Sequence, residues 1–140
     1  MKPTVFIDTN IIIDLLTDRE PFGDDAALLF ELIAAEKIHA CTSANCLANV
    51  YYILSSVAKH SAVREKIRDV MRYLTVIATD STILTDALSS DFKDFEDAIQ
   101  YYSAIACGAR YIVTRNPKDF RTSKIRLADA REMCKILGNG

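Results

Sequence analysis

Thr4-Val5-Phe6-Ile7-Asp8-Thr9-Asn10 opens with four residues suited to a strand and stops on three polar ones. The first four do not alternate between apolar and polar, which is the pattern of a strand covered on both faces. Asp8 is the first polar residue past this strand, so it sits at a carboxyl end by construction. Ile11-Ile12-Ile13-Asp14-Leu15-Leu16 follows at once and predicts a helix that the polar trio can cap. A buried strand feeding directly into a helix is the first half of a β-α-β unit.

The remainder of the chain repeats that alternation. After the loop Arg19 to Gly23, apolar spacing predicts a helix over Asp24 to Glu36 and a strand over Ile38 to Thr42. Ser43 is the expected N-cap of a helix running to about Ala58. Further helices are expected over Ser61 to Tyr73 and Ser81 to Leu88, with a strand over Leu74 to Ala78 between them. The acidic run Asp91 to Asp97 leads into an apolar helix that Gly108 closes. Tyr111 to Thr114 reads as a fourth strand, and the tail holds a short strand near Ile125 and a helix near Ala130 to Leu137. With no repeat or Gly/Ser linker, residues 1–140 are expected to form one α/β domain. Its architecture is a three-layer, doubly wound parallel sheet of about five strands. Such sheets bind ligands outside the carboxyl ends of their strands.

Composition narrows the chemistry. A formal charge of -2 gives no general attraction for nucleic acid, so any basic surface is local. Cys41, Cys46, Cys107 and Cys134 lack C-x-x-C spacing, and His39 and His60 stand apart from them. A zinc site is therefore disfavoured, and reduced thiols in a cytoplasmic protein are expected. Neither a signal-peptide pattern nor an apolar run of membrane-spanning length is visible. No Walker loop, G-x-G-x-x-G or G-x-S-x-G motif occurs.

The carboxylates point elsewhere. A helix feeding a parallel strand begins at the carboxyl edge of the sheet, which places Asp94 and Asp97 near that edge and on one helix face. Thr114, Arg115, Asn116 and Asp119 leave the fourth strand at the same edge, close to Asp8 if strands one and four are neighbours. The helix after strand two brings Asn45 and Asn49 toward the same place. Acids drawn together repel unless a cation neutralises them or some take up protons. Oxygen ligands without His or Cys suit Mg²⁺ or Mn²⁺. Taken singly, each acid has a plain structural reading: Asp8 as a helix cap, Asn116-Pro117 as a helix start, and Asp94, Glu96 and Asp97 as dipole partners. Capping alone does not require three distant segments to deliver acids to one place.

Three segments also resemble the motifs of the PIN domain family, the fold of VapC-type toxins and related ribonucleases. Val5-Phe6-Ile7-Asp8-Thr9-Asn10-Ile11 looks like the opening motif, and Asp94-Phe95-Glu96-Asp97-Ala98-Ile99-Gln100 like the third. Ile112-Val113-Thr114-Arg115-Asn116-Pro117-Lys118-Asp119-Phe120 resembles the closing motif T-R-N-x-x-D-F and is the most specific piece. The resemblance implies strand order 3-2-1-4-5, a homodimer, and Mg²⁺- or Mn²⁺-dependent endoribonuclease activity, as in the toxin of a toxin-antitoxin pair. It also implies that Asp8 and Asp97 are principal metal ligands, with Asp119 and Asn116 completing the catalytic site. Asn10, Asn49, Asp94 and Thr114 would support them.

Arg115, Lys118 and Arg121, beside the closing motif, are the expected contacts to RNA phosphates. The basic residues from Lys59 to Arg72 read instead as a solvated helix face, and the paired tyrosines 51–52 and 101–102 as core or dimer interface. Asn49 stands where many family members carry glutamate, and Asn116 where some carry an acid. Those amides motivate an alternative expectation, a weak or inactive PIN-fold module that binds RNA or protein. A phosphoaspartate enzyme built on Asp8 is disfavoured because Asn10, not a second aspartate, lies two residues on.

Overall fold

The computed structural model describes residues 2–138. Five strands, β1 (Thr4–Ile7), β2 (His39–Ser43), β3 (Thr75–Ile77), β4 (Tyr111–Val113) and β5 (Arg126–Ala128), form one sheet. Its order is β3-β2-β1-β4-β5 and every pairing is parallel, as the family resemblance implies. The central strand is β1: Phe6 is in register with Cys41 on one side and Ile112 on the other.

That central position explains why β1 lacks alternation. Val5 and Ile7 face one apolar cluster and Phe6 the opposite one, and all three are fully buried. Helices α1 (Thr9–Thr17), α2 (Gly23–Ala34), α3 (Ala44–Leu54), α4 (His60–Met71) and α7 (Ala130–Gly138) contribute to the first cluster. On the other face α6 (Phe95–Ala106) supplies Tyr101 and Ala104 beside Phe6, and α5 (Ser81–Leu88) packs on α6. Burying a side chain of this size contributes roughly 1.5–3 kcal/mol, so the two clusters hold the sheet between its helical layers.

Local chemistry sets most element ends. Ser43 caps α3 by accepting from Cys46 N at 3.0 Å, and Asp80 caps α5 by accepting from Ile83 N at 3.0 Å. Gly108, at φ 71°, follows α6 in the left-handed conformation that closes many helices. One expectation needs correction: helix α3 stops at Leu54 rather than about Ala58, because Ser56 Oγ donates to Ile53 O at 2.7 Å and the chain turns there. The sulfurs of Cys41 and Cys107 are in contact, and among the described residues Cys46 and Cys134 have no such neighbour. β2 and the end of α6 pack in one cluster, so residues 66 positions apart meet, a contact that spacing does not reveal.

The carboxyl end of β1 is tied sideways as well as along its ladders: Thr42 Oγ1, buried on β2, donates to Ile7 O at 2.9 Å. Thr42→Val keeps the shape and removes this donor beside Asp8. Equilibrium urea unfolding should show a loss of about 1–3 kcal/mol, the range for stripping a buried group of its partner.

Candidate metal centre

Asp8 is 5% exposed, the most enclosed acid at this end of the sheet. It occupies the N-cap position of α1, yet its side chain makes no capping hydrogen bond. Instead its Oδ2 accepts a 2.7 Å bond from Thr114 Oγ1, which lies just past β4. Burial pushes the Asp8 pKa up, opposed first by the Thr114 hydrogen bond and then by the nearby polar groups of Gln100, Thr9 and Asn10. Thr114 Oγ1 also accepts from Asn116 N at 3.0 Å and so shapes the start of the closing loop.

Asp8, Asp97 and Asp119 line a single cleft of about 320 Å³, together with Asn10, Asn49, Glu96, Gln100 and Asn116. Asp97 lies in the first turn of α6, whose N-cap Asp94 accepts from Asp97 N at 3.1 Å. Its pKa is raised to about 7, first by burial and then by the charges of Asp94, Asp119, Asp8 and Glu96. The acids thus act on one another across elements distant in sequence. Asp119 arrives on the 3₁₀ turn Pro117–Phe120, which fulfils the expectation that Asn116-Pro117 starts a helical turn.

The donor set fits a hard cation. Every polar side chain lining this cleft offers oxygen or amide, and no His or Cys lines it. Buried Gln100 Oε1 and Thr9 Oγ1 lack a hydrogen-bond partner among the described residues, and both side chains border the cleft. Among the described residues no three His, Cys, Asp or Glu side chains gather tightly enough to clasp a bare ion. The space suits a cation that keeps several waters, as Mg²⁺ does.

Other expected residues divide. Asn10, Asn49 and Asn116 border the cleft, whereas Asn45 does not. Asp94 faces an adjoining cleft of about 360 Å³ that shares Asp97 and Asp119 with the first and is also lined by Lys93, Lys118 and Arg121. Arg115 requires a correction, because it is not free to meet phosphate. Its Nε donates to Asp14 Oδ2 at 2.7 Å, a second nitrogen donates to Oδ1 at 3.2 Å, and its guanidinium stacks 4.0 Å from the Phe22 ring centroid. Side chains alternate along an extended segment, so Arg115 points away from the side that Thr114 and Asn116 share.

Two residues escaped sequence reasoning. Glu96 reads as a helix-dipole partner, but it borders the cleft and its Oε2 accepts from Asn49 Nδ2 at 3.3 Å. Beside the amide at position 49, α6 thus places a carboxylate in the cleft. Gln100, one turn beyond Asp97, is buried beside Asp8. Its three-residue offset from Asp97 was the available signal.

Comparison with known proteins accords with this geometry. The PIN domain family model matches residues 4–118, and the chain belongs to that family. It is 29% identical over 136 residues to Ribonuclease VapC1 of Aquifex aeolicus, covering 94% of this chain and 93% of that protein. Among solved structures it resembles VapBC2 from Rickettsia felis, determined with a promoter DNA fragment, at TM-score 0.67 and 18% identity, covering 90% of this chain and 98% of that one. A toxin-antitoxin complex from Klebsiella pneumoniae matches at TM-score 0.67 and 23% identity, covering 91% and 98%. At these identities the structural likenesses speak for the fold.

Two outcomes follow from the electrostatics. Between pH about 4 and about 7 the folded, metal-free chain binds more protons at Asp97 than the unfolded chain does, so this group lowers stability as pH rises through that window. Melting in EDTA should show this slope, Asp97→Asn should flatten it, and Mn²⁺ at pH 8 should raise the melting temperature of wild type. Separately, Asp14→Ala strands the Arg115 charge and should cost about 2–3 kcal/mol in urea unfolding.

Proposed function

We propose that this chain is a metal-dependent endoribonuclease that hydrolyses RNA phosphodiester bonds and acts as the toxin of a toxin-antitoxin pair. The observation that carries the reading is the meeting of Asp8, Asp97 and Asp119 in one cleft, from the end of β1, the start of α6 and the closing turn. Asp8, Asp97 and Asp119 would hold Mg²⁺ or Mn²⁺, with Asn116 and Glu96 beside them. Bound there, the cation supplies a more acidic water and neutralises charge on the scissile phosphate.

The chain's own groups divide the remaining work. Thr114 keeps Asp8 oriented, and Asp94 fixes the backbone that presents Asp97. Lys118 and Arg121, exposed along the adjoining cleft, would attract the RNA backbone there.

Support for the partners comes from the same surface and from relatives. Tyr52, Val57 and Leu88 are large apolar side chains left mostly exposed, which favours a second copy of the chain as a neighbour. The Klebsiella relative is a toxin-antitoxin complex, which favours an antitoxin here. No helix among the described residues is long and apolar enough to cross a membrane, and the cytoplasm is the proposed location.

The amide at position 49 motivates the competing reading of a non-cutting module, but Glu96 restores a carboxylate to the cleft and favours catalysis. Single-stranded RNA incubated with Mn²⁺ or Mg²⁺ should be cut, and EDTA should abolish the cutting. Asp8→Asn and Asp97→Asn should each slow cleavage at least about 100-fold, since loss of even a supporting residue at a metal typically costs about 10–100-fold. Both variants should keep the wild-type circular dichroism spectrum. Cleavage at the wild-type rate in both would remove these residues from the reaction.

A further inference from the structure

We propose that Gln100 is a positioning residue of the metal site, steering the Asp8 carboxylate with its amide N–H and holding a water of the bound cation with its Oε1. The inference rests on the metal-site reading above and adds a residue that motif and family do not assign.

Gln100 is 6% exposed, lies one turn after Asp97 on α6 and borders the same cleft as Asp8 and Asp97. The polar end of Gln100 lies near Asp8, and because an ionised carboxylate only accepts hydrogen bonds, the amide nitrogen is the end that can serve it. That choice fixes the other end of the amide. Its oxygen is buried and has no partner among the described residues. Buried acceptors normally find one, and of the three unpartnered side-chain atoms, Thr9 Oγ1, Ser55 Oγ and Gln100 Oε1, two belong to residues lining this cleft. The orphaned groups are concentrated where a hydrated ion would sit.

Chemistry selects glutamine for this position. Water on a divalent cation is a strengthened donor, which matches an acceptor with no protein donor of its own. Glutamate would also accept, yet it would add another negative charge beside Asp8, Asp97, Asp119 and Glu96 and would have no N–H for Asp8. Thr114 and Gln100 then hold Asp8 from two elements, the end of β4 and the face of α6. Such outer contacts orient metal ligands and tune affinity.

The test is Mn²⁺ titration by calorimetry on wild type, Gln100→Leu and Gln100→Met, with melting curves of each in EDTA. Both variants retain bulk and delete both hydrogen-bonding ends. The expected result is about 10–100-fold weaker Mn²⁺ binding by variants that still melt in a single cooperative transition in EDTA. Wild-type Mn²⁺ affinity in either folded variant would overturn the inference, and a lowered melting temperature with unchanged affinity would reduce Gln100 to packing. Failure of wild type itself to bind Mn²⁺ would overturn the metal-site reading and this inference with it, so the two failures are distinguishable.

Discussion

The 2.7 Å hydrogen bond from Thr114 Oγ1 to Asp8 Oδ2 joins residues 106 positions apart and closes the carboxyl ends of β1 and β4 upon each other. It exists only because those strands are parallel neighbours, and it sits where both side chains are nearly inaccessible to water. An ionised carboxylate in such a place is costly unless donors surround it. Thr114 donates to it directly and the polar groups of Gln100, Thr9 and Asn10 lie nearby, so the acid is buried on one side and presented to a cleft on the other.

Around this fixed acid the other charges are arranged at some expense to stability. Asp94 caps α6 and the helix N-terminus favours the negative charge of Asp97, yet Asp94, Asp119, Asp8 and Glu96 all act against its ionisation. Burial first, and then this repulsion, raise the Asp97 pKa to about 7. Acids collected in this way raise one another's pKa unless a cation neutralises them. Local strain of this sort is common at functional sites, where stability is traded for activity.

Much of this was legible in the sequence. The uninterrupted apolar run at Val5-Phe6-Ile7 encodes a strand buried on both faces, and the break at Asp8 locates the ligand edge. Helix starts at Ser43 and before Asp97, and the stop at Gly108, rest on caps that act within three or four residues, so local chemistry suffices to find them. The order of the strands came from family likeness, because alternation alone does not say which strands are neighbours. Contacts between distant positions were invisible for the same reason: nothing near Cys41 announces Cys107, and nothing near Asp14 announces Arg115. The polarity of Glu96 and Gln100 was readable, but their direction was not, since a helix N-terminus offers an equally good reason for an acid.

The closing motif illustrates how adjacent residues acquire separate duties. Thr114, Arg115 and Asn116 leave β4 in succession, and an extended backbone sends alternate side chains to opposite sides. Thr114 and Asn116 serve the cleft, so Arg115 must turn to the far side, where Asp14 of α1 and the Phe22 ring receive it. Asp14 is 1% exposed, and its bidentate contact ties the closing loop to the first helix of the chain. That tie matters because Asn116 and Asp119 are themselves exposed and lie on a short 3₁₀ turn with few contacts of its own. A basic residue that looks made for phosphate is therefore spent on rigidity. Lys118 and Arg121 are the basic side chains that the turn leaves in solvent beside the acids.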